Sequence, residues 1–267
     1  MKKFHIIVNN IKDPNGVYTA RIMAALKNAG AERVTSGNPI PNDADAFIVL
    51  GGDGTMLRAA GNTLGLNIPL LGVNLGRLGY LTESDMDRID EDMRKLIDGD
   101  YSIENRMMMC GKVYKGNVKQ SEDHCLNDIT ITGCGALCLI RYDLFVNNEF
   151  LNSYSADGLV ISTPTGSTGY NMSAGGPIAQ PRANLIIVTP ICPHTLNSRS
   201  IVLSPDDRIE VRISDGQTVP VAAQFDGREP YSLGVGDCVQ IFKSTEITKI
   251  IKLKKESFLN TLHEKLI

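Results

Sequence analysis

No stretch of this 267-residue chain approaches the roughly 18 consecutive apolar residues of a membrane-spanning helix. No basic cluster stands out: 27 Lys and Arg face 30 Asp and Glu, a net charge of -3. Nucleic acid and anionic membrane surfaces are therefore not expected partners. None of the six cysteines, Cys110, Cys125, Cys134, Cys138, Cys192 and Cys238, forms a CxxC pair. Cys134 and Cys138 have only loose metal spacing, with His124 alone nearby, so the cysteines read as buried free thiols and no protein metal site is expected. A secretory signal is also missing. The apolar run in Met1 to Asn10 is too short for one and lacks a small-residue cleavage site, so it reads as a first β-strand and the protein as cytoplasmic. With 42% apolar and 21% charged residues, the chain has the composition of a globular protein with a sizeable core.

What is present divides into two textures. Over the first hundred residues strand and helix signals alternate. Phe4 to Val8 is a buried-strand run. Asp13 and Pro14 offer an N-cap and a first-turn proline, Tyr18, Ile22, Leu26 and Ala29 recur at helical spacing, and Gly30 stops them. Ala46 to Leu50 and Leu70 to Val73 are further strands, Met56 to Leu64 looks helical, and Arg88 to Ile97 is an amphipathic helix closed by Gly99. Strands alternating with helices imply a parallel sheet with helices packed on it.

After about Tyr101, short β-rich runs follow one another: 110–114, 128–132, 141–146, 158–162, 185–189, 201–203, 208–213, 219–225, 238–242 and 248–253. Asn147-Asn148, Asp215-Gly216 and Asp226-Gly227 supply turns between several of them. Ser257 to Leu266 has helical spacing and is expected to pack back on the body. The expected fold is α/β + β: a Rossmann-like α/β domain with a parallel sheet (1–102), an antiparallel β-sandwich domain (103–250), and a C-terminal segment (251–267).

The strand Ile48-Val49-Leu50 runs into Gly51-Gly52-Asp53-Gly54-Thr55, and a helix follows. A glycine-rich turn between strand and helix at the carboxyl edge of a parallel sheet is an anion site. Its N–H groups and the helix N-terminus provide positive potential without a cationic side chain. There is no GxxxxGK[ST] and no GxGxxG anywhere in the chain. What sets this turn apart is Asp53. A carboxylate beside a phosphate site could hold Mg²⁺, accept the proton of an attacking hydroxyl, or simply cap the helix.

GGDGT after a strand is shared by kinases of NAD, of diacylglycerol and sphingosine, and, in a close variant, of fructose 6-phosphate. Leu126-Asn127-Asp128, the long run from Asp157-Gly158 through Thr163-Pro164-Thr165-Gly166-Ser167-Thr168-Gly169-Tyr170 to Pro177, the run Gly72 to Leu81, and Pro190-Ile191-Cys192-Pro193-His194 together resemble the NAD kinase family. The resemblance spans about residues 47 to 230. It departs from the family at Ser155, where an Arg often stands, and at Gly169, which replaces a usual Ala.

The resemblance implies transfer of a phosphoryl group from ATP, or polyphosphate, with Mg²⁺, to NAD. Asp53 would face the 2′-hydroxyl of the adenosine ribose, and Gly51, Gly52, Gly54 and Thr55 would hold the donor phosphates. A carboxylate is a weak base at neutral pH, but in a loose phosphoryl-transfer transition state orientation matters more than basicity. Asn127, Asp128, Asp157, Thr168, Tyr170 and Ser173 would meet the dinucleotide, Tyr170 by stacking. Tyr170 could instead be a core residue, and Asp157 a turn cap. Asp226 is open between a type I′ turn and a substrate contact. His194 is the only histidine near the Ser/Thr loop in sequence and no Ser-His-Asp order is implied, which argues against a hydrolase. Family members assemble as homodimers or homotetramers. Two rivals share part of the pattern: a diacylglycerol-type lipid kinase, and a non-catalytic NAD(P) sensor on the same fold. Asn171-Met172-Ser173 forms a glycosylation sequon that a cytoplasmic protein would not use.

Overall fold

Apolar runs and glycine stops in the first hundred residues fold as an all-parallel sheet with helices between the strands. The computed structural model describes residues 1–76, 79–133, 135, 139–194, 198–254 and 258–266. The chain forms two compact units, Met1–Arg106 with Ile247–Ile267, and Met107–Glu246. In the first unit, the elements are β1 (Lys3–Val8), α1 (Val17–Ala29), β2 (Arg33–Ser36), β3 (Ala46–Leu50), α2 (Asp53–Asn62), β4 (Leu70–Asn74), β5 (Ser84–Asp85) and α3 (Ile89–Asp98). β2, β1, β3 and β4 are parallel neighbours in that order. β3 and β4 are buried along their whole length, as strands covered on both faces must be. Phe4, Ile6, Ile22, Leu26, Ile48 and Met93 share one core.

Two local readings change. Pro14 does not open α1. Gly16, at φ 66°, precedes Val17, and the left-handed glycine turns the chain into the helix three residues later than expected. Asp13 still serves the helix start, accepting the N–H groups of Tyr18 (3.2 Å) and Thr19 (2.9 Å) and the Thr19 hydroxyl (2.6 Å). Burial opposes its ionisation, yet these hydrogen bonds hold its carboxyl below the ordinary value. β2 is a short, mostly exposed edge strand, and no apolar run flags it in the sequence.

The second unit carries β6 (Ser102–Lys115), which begins in the first, then β7 (Val118–Cys125), β8 (Asp128–Gly133), β9 (Ile140–Val146), β10 (Glu149–Ala156), β11 (Gly158–Ser162), α4 (Tyr170–Ser173), β12 (Ile186–Ile191), β13 (Ile201–Leu203), β14 (Ile209–Ile213), β15 (Val221–Phe225), β16 (Tyr231–Leu233) and β17 (Cys238–Lys252). One antiparallel sheet has the order β13-β12-β11-β8-β15-β16. A second runs β10-β9-β14-β17. Ile129, Ile131, Leu159 and Phe225 from the first meet Tyr142, Leu144, Val211 and Val239 from the second in one core, the arrangement of a β-sandwich. The runs 238–242 and 248–253 are one continuous strand. Its last residues return to the first unit, where Ile250 pairs in parallel with Leu70. α5 (Phe258–Leu266) ends the chain in that unit.

Among the described residues no helix is long and apolar enough to cross a membrane. Cys110, Cys125 and Cys238 are buried free thiols, but Cys192 is exposed. It follows the end of β12 at φ 44°, past the strand that would have covered it. Cys134 and Cys138 lie outside the described residues.

Candidate active site

The glycine turn is dictated by crowding as well as by conformation. A Cβ on Gly51 would stand 2.2 Å from the Thr55 hydroxyl oxygen. The Gly51 N–H donates to Val73 O (2.9 Å), and the Thr55 and Met56 N–H groups donate to Gly52 O (2.8 and 3.1 Å). Asn9, just after β1, donates its side-chain amide to the Thr55 hydroxyl (3.4 Å). The turn is thus sewn to β1 and β4 while α2 starts at Asp53. The opening N–H groups of a helix lack intrahelical acceptors and carry the positive end of its dipole. The Lys12 ammonium adds a full charge, 3.5 Å from where a Gly52 Cβ would lie.

Asp53 does not cap its own helix; that alternative fails because Gly52 holds the cap position without a side-chain bond. Its two oxygens accept the N–H groups of Tyr80 (2.8 Å) and Leu81 (3.0 Å). Gly79 closes on the same carboxylate, where a Cβ would come within 1.8 Å of Oδ1. The Gly79 N–H is held by the Thr82 hydroxyl (2.9 Å). The loop is anchored one residue further on. The Glu83 N–H donates to Gly72 O (2.9 Å), and the Glu83 carboxylate takes the N–H groups of Leu253 (3.1 Å) and Lys254 (2.9 Å) and the Lys252 ammonium. The Lys265 ammonium lies 4.6 Å from the centre of the Tyr80 ring. Arg77 and Leu78, in the run Gly72 to Leu81, lie outside the described residues. A cavity of about 400 Å³ lies at the carboxyl ends of β1 and β2, lined in part by Asn10, Asp13, Thr19, Ser36, Gly37 and Asn62. Open α/β sheets bind their ligands in that region.

A second cluster is built entirely within the sandwich unit. Leu126-Asn127-Asp128 passes beneath the loop Thr163 to Thr168. Gly166 permits the approach, since a Cβ there would meet Asn127 O at 2.2 Å and Asn127 Cα at 2.7 Å. The Thr163 hydroxyl donates to Leu126 O (2.6 Å), and the Thr163 N–H donates to Asn127 O (2.8 Å). On the other side, the Asp226 carboxylate accepts the N–H groups of Leu126 (2.8 Å), Asn127 (2.7 Å) and Asp128 (3.2 Å). Asp226 and Gly227 both take positive φ, 50° and 65°. The turn is therefore there, closed by the Arg228 N–H donating to Phe225 O (3.0 Å), but it lies within a longer connection than a two-residue hairpin, because β16 begins only at Tyr231.

Asn127 Oδ1 is buried with no hydrogen-bond partner, a state that costs free energy until an N–H or O–H arrives. The Asp128 carboxyl is pushed up to about 7, first by burial and then by the charge of Asp226. Tyr170 is 44% exposed and so is not a core residue. It opens the short helix α4, which also presents Ser173 to solvent. Thr168 is half-buried, with its hydroxyl directed at Thr165 O (3.5 Å), and Asp157 is exposed between β10 and β11. Asn171 is fully buried, donating to Ser167 O (3.3 Å) and Pro177 O (3.0 Å) and accepting from Thr189 (2.7 Å). Its sequon is therefore closed to glycosylation by burial. Gly79 and Tyr80 sit in a run that resembles the family, and their partnership with Asp53 carries no sequence signal. Lys12 has none either.

Comparisons with known proteins agree on one family. Residues 5–101 match the profile described as the ATP-NAD kinase N-terminal domain, and residues 126–253 that of the ATP-NAD kinase C-terminal domain. An NAD kinase of Lachnospira eligens is 41% identical, with 100% of both chains covered. One of Thermoanaerobacter sp. (strain X514) is 43% identical over 100% of this chain and 99% of its own. Among solved structures, an NAD kinase from Archaeoglobus fulgidus in complex with ATP aligns with TM-score 0.80 and 25% identity, covering 98% of each chain. A yeast NADH kinase complexed with NADH aligns with TM-score 0.86 over 99% of this chain and 87% of that one. At 22% identity the latter speaks for the fold alone.

Proposed function

This chain belongs to the NAD kinase family, and on that premise we propose which of its residues carry the transfer of a phosphoryl group from ATP to NAD. The enzyme joins the terminal phosphoryl group of ATP to the 2′-hydroxyl of the adenosine ribose, giving NADP. Neither the lipid-kinase reading nor the sensor reading finds support among the relatives. The observation that carries the site assignment is the carboxylate of Asp53, held by the Tyr80 and Leu81 N–H groups beside a glycine turn at a helix N-terminus.

Two backbone donors fix the Asp53 oxygens, so the carboxylate is oriented before substrate arrives. It accepts the hydrogen bond of the ribose 2′-hydroxyl and aims that oxygen at the terminal phosphorus of the donor. As the new O–P bond forms, the bridging O–P bond of the donor breaks and ADP leaves. The hydroxyl proton passes to Asp53 late in this step. Gly51, Gly52, Gly54 and Thr55 offer backbone and hydroxyl donors to the phosphates, with the Lys12 ammonium over Gly52. Asn127, Asp128, Asp157, Thr168, Tyr170 and Ser173 address the dinucleotide, Tyr170 through its exposed ring.

Mg²⁺ fits this arrangement as a passenger of the donor. Among the described residues no cluster of three or more His, Cys, Asp or Glu could hold a metal, and Mg²⁺ is commonly held by phosphates with one or two carboxylates. Asp53 is the carboxylate at hand. When bound, the ion neutralises charge on the phosphates. Polyphosphate is a second donor compatible with a site built on phosphate contacts. We read the enzyme as cytoplasmic and as a homodimer or homotetramer; light scattering on the purified chain checks the assembly.

The test is NADP formation from ATP and NAD by the purified chain and by Asp53→Asn. Turnover of the variant is expected to fall by about 10² to 10⁴, with NAD affinity and melting temperature nearly kept. Unchanged turnover in Asp53→Asn overturns the assignment.

A further inference from the structure

Three consecutive backbone N–H groups converging on one side chain is an uncommon demand. The carboxylate of Asp226 meets it for Leu126, Asn127 and Asp128, while its own N–H donates to Asp128 O (3.0 Å). Asp226 comes from the turn after β15, about a hundred residues further along the chain than the segment it holds. Its side chain is consumed by these bonds and points at protein, not at solvent. The middle residue of the held segment is Asn127, whose side-chain oxygen is buried and unpartnered. Asn127 Nδ2 and Asp128 Oδ2 lie 3.3 and 3.9 Å from where a Cβ on Gly169 would be, so both side chains stay beneath the Ser/Thr loop.

We propose that Asp226 is a positioning residue for dinucleotide binding: it sets the backbone from which Asn127 and Asp128 reach NAD, without touching NAD itself. This rests on the reading above that Asn127 and Asp128 meet the dinucleotide. The electrostatics agree with the geometry. Burial holds the carboxyl of Asp226 above its ordinary value, although three N–H groups and the Arg228 guanidinium work the other way. Accepting three donors, Asp226 is the ionised member of the pair, and its charge helps keep the proton on Asp128. The other groups facing them are the Cys125 thiol, raised well above its ordinary value chiefly by burial, and Arg228, which pairs with Asp123 (3.0 Å). Asp123 in turn accepts from the Tyr231 hydroxyl (3.4 Å). A protonated Asp128 has an O–H to give to the ligand; an ionised one does not.

The experiment measures kcat and the KM for NAD and for ATP against pH, in the full-length enzyme and in Asp226→Asn, Asn127→Ala and Asp128→Asn. Asn tolerates the left-handed φ of this turn, so Asp226→Asn keeps the turn and removes the charge and one acceptor oxygen. The expected result is a KM for NAD raised about tenfold, with kcat and the KM for ATP within about threefold. The pH dependence of the KM for NAD should move to lower pH in Asp226→Asn, because Asp128 ionises earlier there. It should vanish in Asp128→Asn. A wild-type KM and pH profile in Asp226→Asn overturns the proposal, and so does an equal loss in kcat and both KM values, which marks a purely structural residue. If Asn127→Ala and Asp128→Asn leave the KM for NAD unchanged, the dinucleotide reading itself fails. If they raise it and Asp226→Asn does not, only the positioning role fails. Hydrogen exchange on the unmodified enzyme needs no variant: amides 126–128 should exchange slowly without NAD, and fast exchange there overturns the proposal.

Discussion

Gly79 lies against Asp53 so closely that a Cβ on it would stand 1.8 Å from the carboxylate oxygen Oδ1 and 2.4 Å from Cγ. The carboxylate and the loop that orients it therefore share a space in which only a glycine leaves room.

Gly79→Ala should damage rate before stability. The methyl group must displace Asp53 from its two N–H donors, and a displacement of about 1 Å in a reacting group costs on the order of a hundredfold. The expected outcome is kcat down about a hundredfold, with the far-ultraviolet circular dichroism spectrum retained. Steady-state kinetics on the purified variant checks it, and a kcat near wild type contradicts the geometry.

Lys12→Ala should weaken the donor side alone. Removing one charge-assisted contact to phosphate corresponds to about a tenfold rise in the KM for ATP, with the KM for NAD unchanged. Salt should matter less to the variant, since an exposed ammonium is screened by ions. Titrating ATP at low and at moderate ionic strength reads both effects.

Gly166→Ala strikes the sandwich cluster. The three atoms nearest its Cβ would be backbone atoms of Asn127, the first at 2.2 Å, and backbone cannot swing aside as a side chain can. Overpacking of this kind costs about 1–3 kcal/mol. A lower melting temperature and a raised KM for NAD should appear together. A fully stable variant with normal NAD binding would falsify the packing described.

Asp128 should make stability fall with rising pH. Its folded carboxyl titrates near 7, above the roughly 3.9 of an unfolded aspartate. Between these values the folded state holds the extra proton. Stability from the neutral carboxyl is complete below about pH 4, declines as pH rises, and is lost above about 7, by at most roughly 1.4 kcal/mol per pH unit. Asp128→Asn cannot ionise and should flatten that slope. Urea midpoints at pH 5 and pH 8 test the sign; a slope equal in variant and wild type refutes it.

Much of this is legible in the amino-acid sequence. Ala46 to Leu50 is a strand, and Gly51-Gly52 stops it, because five buried apolar residues followed by two glycines have few other uses. The GGDGT string points to phosphate by the glycines that a ligand-hugging backbone needs, and the run Asp157 to Pro177 points to NAD by its resemblance to the NAD kinase family. What escaped were relations between distant segments. In the sequence Asp226 is half of a turn, and the fold keeps that turn, but its carboxylate serves residues about a hundred positions earlier. The cysteines looked uniformly buried, yet Cys192 emerges at the end of its strand.

By itself the sequence determined the alternation of strands and helices in the first hundred residues, the β-rich texture after it, the family, and Asp53 as the carboxylate at the glycine turn; β2, β7, β10 and β16 carry no such signal. Local apolar period, turn chemistry and motif spacing act over a few residues and are written in order along the chain. Only the tertiary structure decided what holds Asp53, and what holds Asn127 and Asp128. Those supports are backbone N–H groups of residues 80, 81 and 126 to 128, and every residue but proline has one. Which of them meet a carboxylate depends on where folding brings the chain past itself.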